Sequence, residues 1–407
     1  MAWISKRDLQ VLRGLAAEVA EAAADPANRR RFEAWSALNQ LKPAGRPLVW
    51  INEICWWEFQ DLPELAPRCT GKWARGVEKS LRQLLLQWRR FGGDMILDPV
   101  WTVPVHCSPT SSYADYGIAA KEIKTAAGLQ GTAMFEPVIA CDADVDRLRT
   151  PRVTVDWKRT WRELERMQTV CDGILPCEAR GIVHQWTAAW DQMIHWYGIE
   201  RLYTDMFDRP ELVHRLLRRF WDAVNRVLDQ QEALGLLATG NGNWRVGSGG
   251  LGCTPELPPR DHEPLRIRPR DQWGCSTAQI FSDVSPDMHW EFSLQYEKPY
   301  LERFGLSYYG CCEPLHKKMG ILKRVGNLRK ISASPWADLE KMAEQAGAGY
   351  VLSFKPNPAH LAMDHWNPGL VRSYLRDSLR KLKGCCVEII LKDISTVRNA
   401  PSRLEAW

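Results

Sequence analysis

The stretch LSYYGCCEP, residues 306–314, shows most clearly which fold this chain adopts. Its first four residues continue an apolar and aromatic run that is typical of a buried strand, and Gly310 then marks a turn. The residues that follow have the spacing of a helix. A strand, a short turn and a helix in this order are typical of a βα unit of a parallel sheet.

The same order of elements recurs from Arg46 onward. Strands are predicted at residues 48–54, 94–97, 133–139, 173–176, 235–239, 278–281, 306–309, 328–332, 350–354 and 386–391. Helices are predicted between them at residues 76–91, 157–171, 210–234, 286–304, 337–346 and 368–382. No GxGxxG motif follows the first strand, so the repeated units predict an α/β fold of the (β/α)8 TIM barrel type rather than an open doubly wound sheet.

The first 45 residues have a different character, because helical spacing begins near Asp8 and Asp25-Pro26 separates two helices. We therefore expect an N-terminal helical extension at residues 1–45 and a barrel domain at residues 46–407. The extension could serve as a dimer arm, and a homodimer is one expectation for the assembly.

The composition excludes several classes of protein. Charged residues make up 25% of the 407 residues, and no apolar stretch approaches the roughly 20 residues of a membrane helix. The N-terminus has neither an apolar h-region nor a cleavage site, which makes the cytoplasm the expected compartment. A net charge of +5, with basic residues scattered among acidic ones, gives no support for nucleic-acid binding.

Cysteine and tryptophan are the two informative residue types. Among the twelve cysteines only Cys311-Cys312 and Cys385-Cys386 are vicinal, and reducing conditions favour ligand, catalytic or core roles over disulfides. Core packing explains most of the twenty tryptophans. The others would suit a pocket for a flat or cationic small-molecule substrate.

A barrel places its chemistry at the C-terminal ends of its strands, and the residues expected there are strongly polar. They predict an enzymatic or ligand-binding site. The catalytic candidates are Glu53, Asp98, Lys392 and Asp393. The candidates for substrate binding are Asn52, Trp101, Asn241, Asn243, Ser248, Trp336 and Lys355.

The segment Cys311-Cys312-Glu313 has three interpretations. Two thiolates and a carboxylate could bind zinc if His316, Asp393 or Glu53 completed the ligand set, or a thiol there could be reactive. The two cysteines could form a redox pair, although neighbouring cysteines close a strained ring. They could also pack on opposite faces of the strand end.

Two other segments have open interpretations. The glycine-rich run at residues 247–252 is either a substrate-contacting or lid loop or a flexible surface loop. Lys392-Asp393 is either an ion pair that seals the barrel or part of the site. Lys355 precedes a proline that stiffens the strand exit.

Three segments make the chain resemble the uroporphyrinogen decarboxylase (URO-D) superfamily, which includes zinc-dependent corrinoid methyltransferases and cobalamin-independent methyltransferases. They are RPLVW at residues 46–50, DMFDRPELV at 205–213 and YGCC at 309–312. The likeness is strongest to a bacterial branch near the corrinoid methyltransferases that has the GCCE and KDIST segments. The resemblance implies a TIM barrel and a methyltransferase that moves a methyl group between a methylated small molecule or corrinoid and a thiol or other acceptor.

Departures from the family pattern alter what the resemblance implies. Asn52 and Glu53 stand where the decarboxylases have arginines, so uroporphyrinogen III is not the expected substrate. Tyr309 stands where the methyltransferases have a zinc-binding histidine, and Asp393 lies near the place of the final cysteine. A zinc site would therefore need Cys311 or Cys312 with Glu313, His316 or Asp393. A corrinoid, as substrate or on a partner protein, is the other expected cofactor.

Two alternatives remain beside zinc-assisted methyl transfer. One is a metal-free decarboxylase or lyase that uses Asp98, Glu53 and Lys392 on a small carboxylated ligand. The other is a non-catalytic barrel that binds a corrinoid or another small molecule.

Overall fold

The computed structural model of the protein describes residues 3–43, 45–123 and 134–407. In this part of the chain the helices are α1 Lys6–Ala23, α2 Pro26–Asn39, α3 Lys72–Phe91, α4 Asp142–Asp146, α5 Trp157–Cys171, α6 Ala189–Tyr197, α7 Ile199–Asp208, α8 Pro210–Ala233, α9 Pro286–His289, α10 Gln295–Leu301, α11 Met319–Leu322, α12 Leu339–Ala346, α13 Ala359–Ala362, α14 Pro368–Lys381 and α15 Ser402–Ala406. A π-helical turn, Trp290–Leu294, joins α9 to α10.

The strands are β1 Leu48–Ile51, β2 Trp101–Pro104, β3 Cys107–Ser108, β4 Lys121–Ile123, β5 Met134–Glu136, β6 Thr154–Val155, β7 Cys177–Arg180, β8 Gln185–Thr187, β9 Trp273–Ser276, β10 Leu306–Tyr309, β11 Leu328–Ala333, β12 Val351–Phe354 and β13 Cys386–Leu391. Seven of them form a parallel sheet in the order β1-β13-β12-β11-β10-β9-β8. The fold is therefore mixed α/β around a large parallel sheet. Within the described ranges, no ladder joins β1 to β8.

Helices cover one face of this sheet. Outward-facing side chains of β10 to β13, such as Tyr309, Ile331 and Leu352, share one buried cluster with residues of α8, α10 and α12. Local signals fix where several helices begin. The Asp338 side chain accepts a hydrogen bond from Lys341 N at the start of α12, and Asn367 precedes Pro368 at the start of α14.

A glycine-rich segment covers the other face, which we call the loop face. All of residues 246–254 are buried there. Gly250 donates its N–H to Glu388 at 2.8 Å, and Lys330 donates to the Leu251 carbonyl at 3.1 Å. The expectation of a lid or a flexible surface loop at residues 247–252 is therefore wrong, because this segment packs inside the protein.

The glycines of this segment are required by close approach. A Cβ atom at Gly250 would lie 2.5 Å from the ring of Trp35, and one at Gly249 would lie 2.6 Å from the Glu388 carboxylate. Gly247 has a φ of +59°, and a Cβ there would lie 2.3 Å from the Tyr308 ring. The composition of the segment thus reflects packing against the sheet.

The two predicted N-terminal helices are present as α1 and α2. α1 packs against α3 and α5, whereas Trp35 of α2 is fully buried with Leu48 and Ile390. Its indole N–H donates to the Asp94 carbonyl at 2.9 Å. The division at residue 45 and the dimer arm stay predictions.

The later strands agree best with the sequence. β10 and β13 have the predicted bounds, and β11 and β12 differ from them by one residue. Residues 278–281 are wrong as a strand, because Gln279–Phe281 is a 3-10 turn and the strand is β9, just before it. β9 contains Gly274, where a Cβ would lie 2.2 Å from the Phe304 ring, so a small residue replaces the apolar signal.

The earlier strand predictions fail more often. Residues 94–97 and 173–176 are not strands, and residues 235–239 contribute one bridge, between Leu237 and Ile182. Of residues 133–139, β5 pairs antiparallel with β4 outside the large sheet, and residue 133 lies outside the described residues. Among helices that can be assessed, none is long and apolar enough to cross a membrane.

We predict that Gly250→Ala lowers the free energy of unfolding by about 1–3 kcal/mol, because the new methyl group would overlap the Trp35 ring. Urea denaturation followed by tryptophan fluorescence measures this loss. Gly242→Ala is the matched control, since a Cβ there meets no atom within 4 Å. Equal stability of the two variants would contradict the proposed packing.

Candidate functional site

Four neighbouring strands, β1, β13, β12 and β11, are each followed directly by a polar residue, in that order Asn52, Lys392, Lys355 and Ser334. The sheet register aligns Glu388 with Leu48 on one side and with Ser353 and then Ser332 on the other, so these side chains all lie on the loop face. Each of the four polar residues is two or four positions beyond one of them. Because side chains alternate along a strand, all four are brought to that face at the C-terminal edge of the sheet. We call these four residues the polar row.

The next strand, β10, is followed by Gly310, which leads directly to Cys311 at the same edge. Gly310 has a φ of +98°, which lets the chain turn sharply there. The Glu313 carboxylate accepts hydrogen bonds from Cys311 N and from the Thr277 hydroxyl, both at 2.8 Å. Glu313 is fully buried, so its carboxylate fixes the turn that carries the cysteines.

Lys355 lies beneath Cys311 and is almost fully buried. Its Nζ donates to Ser248 Oγ and Ser332 Oγ, both at 2.5 Å, and to the Cys311 carbonyl at 2.7 Å. These partners are all neutral oxygens. Burial lowers the pKa of Lys355 to about 8. A buried ammonium group needs a nearby negative charge, and the Cys311 thiolate can supply it.

Lys392 lies on the other side of the Cys311 thiol. Its Nζ is 3.8 Å from Cys311 Sγ, 3.1 Å from the Asp393 carboxylate and 3.5 Å from that of Glu53. Burial lowers the pKa of Lys392, but Cys311 and the two carboxylates outweigh it and the pKa is raised. Lys392 therefore remains charged beside the thiol.

Cys311 is the group in this site that is best suited to react. Its Sγ lies 3.6 Å from that of Cys312. A hydrogen bond from the Cys312 thiol, opposed by burial and assisted by Lys355 and Lys392, lowers the pKa of Cys311 to about 6. The same hydrogen bond raises the pKa of Cys312. The direction of the two shifts makes Cys311 the thiol of this pair that ionises first, with Cys312 as its hydrogen-bond donor.

Glu53 and Asp393 follow neighbouring strands in an unusual backbone conformation. Their φ values of +53° and +56° place two non-glycine residues in the left-handed region, which often marks a functional site. The pKa of Glu53 is lowered to about 2, because Arg245 and Lys392 outweigh the effect of burial. Burial raises the pKa of Asp393, which the charge of Lys392 opposes.

Asp98 and Asn243 belong to an adjoining polar cluster. Asn243 Nδ2 donates to the Ile96 carbonyl at 2.7 Å, and burial raises the pKa of Asp98 against the opposing charge of Arg180. Arg245, two residues after Asn243 in the chain, forms an ion pair of 2.7 Å with Glu53, whose carboxylate lies 3.5 Å from Lys392.

The remaining predicted residues occupy different places. Ser248 forms the floor of the site, and Trp336 projects after β11 with 69% of its surface exposed. Asn241 bonds to the Leu257 carbonyl, away from the row. Trp101 packs in the cluster formed by α1, α3 and α5. His316 accepts from Asp338 N beside α12.

The donor set fits a zinc ion poorly. The Glu313 carboxylate is occupied by backbone and hydroxyl donors, and His316 is held at α12. In the ranges that the structure describes, no three His, Cys, Asp or Glu side chains come together to hold a metal ion. The two thiols and Asp393 alone do not make the four-coordinate arrangement that zinc prefers.

Sequence reasoning missed Ser332 and Arg245 as parts of this site. Ser332 had a usable signal, because Lys330, Ser332 and Ser334 put a polar residue at every second position of a buried strand. Arg245 lies in a loop without local periodicity, so only the fold reveals its ion pair with Glu53.

Comparisons with known proteins add no family assignment: no protein-family model matches the chain, and no curated protein matches its sequence.

We predict that iodoacetamide alkylates Cys311 with a pH midpoint near 6, because the rate follows the fraction of thiolate. Cys312→Ala removes the hydrogen bond that stabilises the thiolate, so the midpoint rises toward the ordinary thiol pKa of about 8.5. Peptide mass spectrometry after timed alkylation measures both midpoints. Cys385→Ala is the control: it changes the other vicinal pair, which lies at the N-terminal end of β13, and should leave the midpoint unchanged. A midpoint that does not move in Cys312→Ala would refute the role of Cys312.

Proposed function

We propose that this protein is a methyltransferase that resembles the URO-D superfamily and uses the Cys311 thiolate to receive the methyl group. The observation that carries this proposal is the position of Cys311 Sγ, between the Cys312 thiol at 3.6 Å and the Lys392 ammonium at 3.8 Å. A thiolate stabilised in this way at neutral pH is a strong nucleophile toward an activated carbon.

We also propose that the parallel sheet is part of a (β/α)8 barrel. Three features support this. Residues 94–97 lie beside β1 at the edge of the sheet, because Asp94 N donates to the Val49 carbonyl at 2.7 Å. The Ile182–Leu237 bridge lies just before β8, and the buried segment 246–254 fills the loop face as a barrel interior is filled.

In the first step the Cys311 thiolate attacks the methyl carbon of the donor. A carbon–sulfur bond forms as the bond between the methyl group and its nitrogen, oxygen, sulfur or cobalt atom breaks. The leaving atom keeps the electron pair, and Cys311 becomes a methyl thioether. Loss of the negative charge leaves Lys355 and Lys392 without their anionic partner, which favours return to the thiolate.

In the second step an acceptor, such as a thiolate or the reduced cobalt of a corrinoid, attacks the same methyl carbon. Cys311 leaves with the electron pair. The groups that lower its pKa also stabilise the sulfur as it leaves, so Cys312, Lys355 and Lys392 assist both steps. In this scheme the corrinoid is a substrate, either free or carried by a partner protein.

We predict that methylcobalamin, incubated in the dark with the protein, adds one methyl group to Cys311. Peptide mass spectrometry should find a 14 Da increase (the mass of CH2) on the peptide that contains Cys311, and the visible spectrum should show loss of methylcobalamin. Methylated amines, ethers and sulfonium compounds extend the donor series.

Cys311→Ala should abolish the transfer, whereas Cys385→Ala should leave it unchanged because Cys385 lies at the other edge of the sheet. Absence of methyl transfer from every donor, with Cys311 otherwise alkylated as expected, would overturn the proposal.

The proposed steps do not use zinc. We predict that protein purified without chelators contains well below one zinc ion per chain by atomic emission. Cys311→Ala and Cys312→Ala should not change this content. One zinc ion per chain that both substitutions remove would contradict the assignment and restore the zinc-assisted mechanism.

A metal-free decarboxylase or lyase is the second candidate. It is favoured by the pKa of Asp98, which burial raises against the opposing charge of Arg180, so that this carboxyl group is better able to act as an acid. In that reaction Asp98→Asn would abolish turnover and Cys311→Ala would not. Binding of cobalamin with unchanged Cys311 would instead favour the non-catalytic barrel.

A further inference from the structure

Asn52 is the residue of the polar row whose environment is least satisfied. It is 7% exposed, and neither its amide nitrogen nor its amide oxygen has a hydrogen-bond partner within the described residues. Leaving a buried amide without hydrogen-bond partners is destabilising. Such a group at the edge of a sheet is explained if a ligand supplies the missing partner.

The neighbour of Asn52 across the sheet is Lys392. Asn52 N donates to the Leu391 carbonyl at 2.9 Å, which continues the ladder between β1 and β13 by one step. Strands in a sheet lie about 4.8 Å apart, so the Asn52 amide and the Lys392 stem are side by side on the loop face. Lys392 Nζ in turn lies 3.8 Å from Cys311 Sγ.

Lys392 can donate to a further oxygen, because its ammonium group has three N–H bonds and lies 3.1 Å from Asp393 but 3.5 Å from Glu53 and 3.8 Å from Cys311 Sγ. Glu53 is closer to Arg245, at 2.7 Å, than to Lys392, at 3.5 Å. The Asp393 side chain is half exposed, so solvent screens its charge.

We propose that Asn52 and Lys392 form a carboxylate-binding subsite, so that the methyl donor is a small molecule whose carboxylate is attached close to the leaving atom of its methyl group. This inference rests on the proposed function and names its substrate class. The amide N–H of Asn52 and the ammonium group of Lys392 donate to the carboxylate oxygens. The short distance from Lys392 to the thiol limits how far the reacting carbon lies from the carboxylate.

Iodoacetate is a direct probe of this subsite, because it carries a carboxylate on the carbon that a thiolate attacks. The thiolate displaces iodide, which leaves with the bonding electron pair, and Cys311 becomes carboxymethylated. Iodoacetamide undergoes the same displacement without the negative charge. The ratio of the two rate constants at Cys311, divided by the same ratio for glutathione, therefore reports carboxylate recognition.

We expect this normalised ratio to be about ten or more in the unaltered protein, as one charge-assisted hydrogen bond can supply such a factor. Asn52→Ala should lower it about tenfold while the iodoacetamide rate changes less than twofold. Ser378→Ala is the control, since Ser378 is also a buried polar residue but lies on α14, outside the polar row. An equal effect of the two substitutions would overturn the assignment to Asn52.

The outcomes separate this inference from the proposed function. If, below pH 7, iodoacetamide alkylates Cys311 no faster than it alkylates glutathione, the thiolate proposal fails. If it does, but the normalised ratio is near one, only the carboxylate subsite fails. Protection of Cys311 by acetate supports a carboxylate, whereas stronger protection by inorganic phosphate would overturn the choice of carboxylate over phosphate.

Discussion

A fully buried ion pair between Lys330 and Glu388 organises the loop face of the sheet. The Lys330 ammonium lies 2.9 Å from the Glu388 carboxylate, and neither side chain has exposed surface. Two such charges are costly to bury unless further hydrogen bonds satisfy them. The backbone of the glycine-rich segment does this, through Gly250 N and the Leu251 carbonyl. The buried charges of Lys330 and Glu388 are therefore stabilised by the loop backbone, and the backbone can approach them closely because its residues there include glycines.

The candidate site is built on top of this arrangement. Ser248 belongs to the same segment, and its hydroxyl contacts Lys355, so the position of the loop also sets the position of that ammonium group. Lys355 and Lys392 then hold Cys311 from below and from the side. A mechanism that needs a stable thiolate thus depends on packing that lies one layer deeper than the reacting atom.

The sequence was informative where one residue pattern had one physical cause. The apolar runs of β10 and β13 gave their bounds, and the polar residues after the strands indicated the edge that carries Lys355, Lys392 and Cys311. It failed where contacts distant in the chain decide the outcome. β9 could not be recognised from its sequence because the Phe304 ring leaves no room for a side chain at Gly274. Glu313 resembled a metal ligand although its carboxylate accepts hydrogen bonds from backbone N–H groups.

The internal position of the glycine-rich segment has a consequence for how the chain folds. Gly250 meets Glu388 across 138 residues, and Asn39 meets the Leu251 carbonyl across 212 residues. Both contacts close large loops before they add any stability, and high contact order slows folding. Without β13, Lys330 would lack its carboxylate partner, so this strand completes the charge balance of the interior.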